Sequence, residues 1–159
     1  MFNLKPLSAS AVPAALEKAN RYRLLNEPGA AESICLDILE IDPGNQEAVV
    51  MLVLAMSDRL DKDYSVGDSH IRDYIARIQD EYARTYYTGI VYVRRAKAEL
   101  HRGGLHAYEF FRQAMEWFEK AEAIRPEGND DTILHWNRCA RMITANKLEP
   151  RDMGQDFLE

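Results

Sequence analysis

Residues 31–48 read AESICLDILEIDPGNQEA, and this stretch decides the fold. Ala31, Ile34, Cys35 and Ile38 fall at i, i+3, i+4 and i+7, which is one face of an α-helix. Pro43 ends that helix, because it has no N–H to donate and disfavours helical angles at Asp42. Gly44 supplies the turn and Asn45 is placed to cap the next helix. Upstream, Asn26 and Pro28 read as a capping side chain and a first-turn proline. The punctuation predicts a tight helical hairpin.

The same reading extends in both directions. Val12, Ala15, Ala19 and Tyr22 stripe a helix over residues 10–25. The run VVMLVLAM (49–56) is unbroken and apolar, and by periodicity alone it fits a buried strand as well as a helix. It follows a helix-start signal and continues into SDRLDK, which predicts a helix; GIVYV (89–93) is read the same way. Asp68 is a candidate cap for a helix carrying Ile71, Tyr74, Ile75 and Ile78. No Gly or Pro marks the following break. One unbroken helix to residue 102 would span about 50 Å at 1.5 Å per residue, so a turn is expected near residues 81–84. Gly103 and Gly104 break the chain. Ala107, Phe111, Ala114, Phe118 and Ala121 then stripe a long helix ended by Pro126. Asn129 or Asp130 caps a last helix with Ile133, Trp136, Ala140 and Ile143. The tail from Pro150 is read as loose, or as a strap packed back on the domain.

Composition bounds the function classes. The 159 residues are 47% hydrophobic and 29% charged, enough for one domain with a real core. A net charge of −6 argues against nonspecific nucleic-acid binding, which needs a basic surface. Cys35 and Cys139 are far apart, in no metal-type spacing and too few for a secreted disulfide framework; inside apolar stripes they read as small buried hydrophobes. The first 22 residues hold no apolar run of signal-peptide length, and nothing approaches the ~18 apolar residues of a membrane span. A cytoplasmic location with no membrane contact is expected.

Catalytic and metal motifs are weak. His70, His101, His106 and His135 form no metal pair on one helical face. DKDYSVGD (61–68) places Asp61, Asp63 and Ser65 as in a calcium loop, but its glycine is one place late and Arg72 stands where the bidentate Glu belongs. No phosphate loop, nucleophile elbow or dinucleotide fingerprint is present. RRAK (94–97) with Arg102 reads as a solvated basic stripe beside Glu99. The expectation is a non-enzymatic protein without cofactor or metal.

An internal repeat carries the argument further. Ala31, Cys35, Ile38 and Pro43 have the same spacing as Ala114, Phe118, Ala121 and Pro126. Ile41 and Ile124 each stand two places before the proline, and each proline is followed by an Asn and a new apolar helix. These residues resemble the tetratricopeptide repeat family, whose pattern is W-x2-L-G-x2-Y, then A-x3-F, then P. Ala15, Ala19, Tyr22, Ala31, Cys35 and Pro43 look like one whole unit. A second begins near Gln46 and matches poorly. A third shows Thr88, Gly89, Tyr92, Ala114, Phe118 and Pro126, and Trp136, Cys139, Ala140 and Ile143 match a lone capping helix. Tyr92 to Ala114 is 13 residues longer than Tyr22 to Ala31, so the third hairpin is expected to protrude.

The resemblance implies an all-α fold: a right-handed superhelical array of antiparallel hairpins, about three repeats plus a cap over residues 10–147. Residues 1–9 form a leader and 148–159 a tail. In the family, first helices line a concave groove that binds peptides. Projected here, the groove takes Asn20 and Arg23, then Glu47, Val50, Leu54 and Asp58, then Tyr86, Ile90, Val93 and Arg94, then Asn137 and Arg141. Val50, Leu54, Ile90 and Val93 are equally readable as core. An apolar floor edged by Asn and Arg suits a protein segment with hydrophobic anchors and acidic groups. The carboxylate clamp of some family members is matched only by Asn20; Leu16, Met51, Ala83 and Tyr87 stand at the other clamp positions. The implied function is a protein- or peptide-binding adaptor. The alternatives are a small secretion-type chaperone for one partner protein and, behind it, an enzyme or nucleic-acid binder; a homodimer formed through the third hairpin is compatible with the adaptor reading.

Overall fold

The computed structural model describes residues 1–61 and 68–151. Among them the chain is all-α, with no strand: α1 (Val12–Leu24), α2 (Pro28–Ile41), α3 (Gln46–Asp58), α4 (Asp68–Ile75), α5 (Glu81–His101), α6 (Ala107–Glu122) and α7 (Asp131–Ala145). A 3-10 turn at Ala9–Ala11 leads into α1. No described helix is long and apolar enough to cross a membrane. Asp63 and Ser65 of the rejected calcium loop, and the tail from 152, lie outside the described residues.

The ambiguous apolar runs are helical, and packing explains their composition. Asn45 Oδ1 accepts the Ala48 N–H at 2.9 Å and starts α3. That helix then contacts α1, α2, α4 and α5. A helix surrounded on most sides carries apolar residues nearly all round, and Ala48, Val49, Leu52, Val53, Ala55, Met56 and Ser57 are all buried. Consecutive helices pack pairwise, α1 on α2, α2 on α3, α5 on α6 and α6 on α7, while α1, α3 and α5 also touch in succession. Two cores result. One joins α1 to α4 with Val91 and Ala98 of α5. The other joins Ile90, Val93 and Ala96 of α5 to Phe111, Ala114, Phe118 and Cys139.

Three expectations shift. Asn26 does not cap α2 with its side chain; Glu27 is the cap residue. Instead Asn26 takes a left-handed φ of 61° past the end of α1. Its N–H donates to Arg23 O at 3.0 Å and Glu27 N–H to Tyr22 O at 2.8 Å, closing the helix with a Schellman pair. The unmarked break lies at residues 76–80 rather than 81–84, because Asp80 caps α5 by accepting the Ala83 N–H at 2.8 Å.

The third hairpin also protrudes less than its length implies. α5 runs to His101, nine residues past Tyr92, whereas α1 stops two past Tyr22. This extension lies along the end of α3: Ala98 is buried in the same core as Leu60, Arg102 Nη2 donates to Leu60 O at 2.6 Å, and His101 Nδ1 stands 3.6 Å from Asp61. Only the tip stands clear, with Leu105 63% exposed. The start of the tail packs back, Leu148 against the second core and the Arg151 N–H donating to Glu109 Oε1 at 2.8 Å.

Candidate functional site

The face shared by α1, α3 and α5 carries two clefts. Pro13, Leu16, Asn20 and Leu24 recur every three to four residues, so they lie along one side of α1. The first cleft, about 500 Å³, opens between the start of that side and α3, with Leu16, Glu17 and Asn20 opposite Asn45, Glu47 and Met51. The second, about 350 Å³, lies further along, bounded by Arg23, Leu24, Asn26, Ser57, Asp58, Asp61, Arg94 and Lys97. Its centre is Asp58, whose Oδ2 accepts Arg23 Nε–H at 2.8 Å while Oδ1 stands 3.4 Å from Arg94 Nη2. One carboxylate thus ties α1 and α5 to α3.

The projected residues separate into three groups. Asn20 and Glu47 line the first cleft, and Arg23, Asp58 and Arg94 line the second. Val50 packs on the first core, Leu54 and Tyr86 on the second, and Ile90 and Val93 are buried within the second; these five belong to the cores rather than to the lining of either cleft. Asn137 lies elsewhere, in a cleft of about 330 Å³ with Glu119, Glu122, Ile133 and Trp136. There Trp136 Nε1 donates to Glu119 Oε1 at 3.0 Å. Arg141, one turn on from Asn137, is exposed.

The side of α7 turned toward α5 is instead Asp131, His135 and Arg138, at i, i+4 and i+7. The His135 ring stacks on Phe118 with centroids 5.5 Å apart and meets Tyr86 edge-on at 5.7 Å. Burial holds the His135 pKa below its ordinary value, and Arg138 and Arg94 act in the same direction against Asp131. Burial and then Asp131 raise Tyr86 well above the usual phenol range.

Lys97 corrects the reading of RRAK as a solvated stripe. Arg94 and Lys97 are half-buried in the second cleft, and Arg95 lies over the Tyr92 ring at 5.2 Å. Burial lowers the Lys97 pKa, then Arg138 and Arg94 lower it further, and Asp61 and Asp58 offset only part. The signal was present in the spacing, since Arg94 and Lys97 share a helix face with Ile90. What the sequence lacked was the position of α7. Chemically, the face offers an apolar stretch around Leu16 and Met51 and a charged stretch with bidentate-capable guanidiniums. Comparison of the chain with protein-family models, with curated proteins and with solved structures gives no match, so its reading rests on its own residues.

Proposed function

We propose that the chain is a non-enzymatic, cytoplasmic, tetratricopeptide-like array that binds an extended protein segment along the groove formed by α1, α3, α5 and α7. The observation that carries this reading is the pair of clefts on one side of α1, apolar around Leu16 and Met51 and charged around Asp58. A segment laid across them meets hydrophobic anchors first and guanidinium groups second. Such a surface suits partners with apolar and acidic residues a few positions apart. Stacked hairpins leave first helices free to line a surface of this kind.

Selection of nonapeptides from a random displayed library, with amide chemical-shift mapping of the selected sequences, tests the proposal. The expected peptides shift amides of α1, α3 and α5 around both clefts. Asn20→Trp, which fills the first cleft from an exposed position, is expected to weaken them about tenfold, a loss of about 1.4 kcal/mol, with unchanged helicity. Peptides that map to α2, α4 and α6, or a library that yields none, overturn it.

A further inference from the structure

The second cleft holds more positive than negative charge, in a chain whose net charge is −6. Arg23, Arg94 and Lys97 face Asp58 and Asp61 across it. Asp61 is also approached by His101 at 3.6 Å. Asp58 spends both oxygens on the two arginines, and the Arg23 and Asp58 side chains are each only 17% exposed. That leaves Lys97, half-buried, in a field to which Arg138 of α7 also contributes. An arginine held by one carboxylate keeps unused N–H donors, because the guanidinium has five. The cleft therefore offers directed donors and a surplus of charge in a volume of about 350 Å³, ample for an acidic side chain.

We propose that this cleft is an anion pocket that seats a side-chain carboxylate of the bound protein segment, with Lys97, Arg23 and Arg94 as its donors and Asp58 as a built-in competitor. It rests on the groove reading, but it differs from the family's carboxylate clamp. The clamp positions, Leu16, Asn20, Met51, Ala83 and Tyr87, lie about one to three turns before Arg23, Asp58 and Arg94 on the same helices. Asp58 pre-orders the two guanidiniums at the cost of occupying them. A ligand carboxylate shares them and gains Lys97. Anion binding favours the charged ammonium, so affinity falls as pH rises through the Lys97 pKa.

The test uses blocked tripeptides, acetyl-Ala-Asp-Ala-amide and its neutral partner acetyl-Ala-Asn-Ala-amide, titrated against the full chain while Arg Nε–H and Lys Nζ resonances are followed. The Asp peptide is expected to shift Arg23, Arg94 and Lys97 and to raise the Lys97 pKa. Lys97→Met should weaken it about tenfold, the scale of one charge-assisted hydrogen bond, and Lys97→Arg should retain it. Asp58→Asn should tighten it several-fold by freeing the arginines. If Asp58→Asn unfolds, the Met-against-Arg contrast at position 97 decides alone. Equal binding of the neutral peptide, indifference to Lys97→Met, or a folded Asp58→Asn that binds no tighter overturns the pocket. A phosphoserine tripeptide binding more than tenfold tighter than the Asp peptide assigns the site to phosphorylated segments and overturns the carboxylate. Nonapeptides that map to the groove but ignore charge defeat the pocket alone, whereas tripeptide binding without any groove peptide defeats the groove.

Discussion

At Gly89 the chain has no room for one more carbon. A Cβ there would lie 2.6 Å from Cε1 and 2.9 Å from Cδ1 of Phe118, whose side chain is fully buried. In the first hairpin the corresponding positions are Ala19 and Cys35, both fully buried in one core: where the second-helix residue is small, the first helix carries a methyl. Gly89→Ala should therefore destabilise despite the intrinsic gain of about 1 kcal/mol for Ala over Gly in a helix. Overpacking typically costs about 1–3 kcal/mol, and the surrounding ring is held by Tyr86 and His135. Urea unfolding measures the net loss. The double variant Gly89→Ala, Phe118→Leu should lose less than the two single changes added together, since the smaller side chain relieves the clash. Strict additivity would mean that Cβ and ring do not meet. The small residue at 89 was legible as part of a repeat, but its reason was not, because the ring opposite comes from 29 positions further along.

At the scale of elements, two breaks contrast. Residues 42–45 announce themselves with Pro43, Gly44 and a capping Asn. Residues 76–80 contain no Gly or Pro, yet the chain turns there. The N–H groups of Ala76, Arg77 and Ile78 bond back to α4, and the groups beyond their reach are met by side chains: Gln46 Nε2 donates to Arg77 O at 3.2 Å and Gln46 Oε1 accepts the Gln79 N–H at 2.8 Å, while Arg84 Nη1 donates to Ile78 O at 2.8 Å. A turn held by a side chain 31 residues away leaves little local signature. The one local cue was Asp80, and Asp80→Ala should cost about 1 kcal/mol by loss of the cap, seen as a lower urea midpoint with unchanged slope. At the other end of the molecule, α7 joins α5 through His135, whose Nδ1 is buried and meets no hydrogen-bonding group of the described residues. Its folded pKa lies below the ordinary 6.5. The unfolded chain then binds the proton first as pH falls. The stabilisation is complete above about 6.5 and drains away through the window below it, until the folded value is passed. His135→Phe keeps the stack on Phe118 and removes the titration. Urea midpoints between pH 7.5 and 5 should fall more for the wild type than for the variant; parallel falls would exclude His135 as the cause.

At the scale of the whole molecule, the all-α class was readable because most helices carry their own stripe, and the stripeless α3 follows the start signal at Asn45. The candidate site was only half readable. Asn20, Arg23, Glu47, Asp58 and Arg94 line the clefts, but Asn137 and Arg141 do not, and Lys97 and the face of α7 with Asp131, His135 and Arg138 went unseen. The rotation of α7 is fixed by its neighbour α6, through Trp136 on Glu119 and Cys139 in the second core, and no local pattern encodes it. The same division into neighbours governs stability. Among the described residues, α5 is the helix with buried side chains in both cores, offering Val91 and Ala98 to one and Ile90, Val93 and Ala96 to the other. In an arrangement held by nearest-neighbour contacts, a cavity on one side loosens that side first. Leu52→Ala removes a fully buried side chain from the first core and Phe118→Ala one from the second, each costing about 2–5 kcal/mol. Hydrogen exchange under native conditions should then show α1 to α4 losing protection with Leu52→Ala, and α6 and α7 with Phe118→Ala. The amides of α5 should respond to both, because its hydrogen bonds break only when one of the two cores gives way. Uniform loss of protection along the chain in both variants would instead mean that the cores unfold as one unit, and that α5 couples them too tightly for either side to open alone.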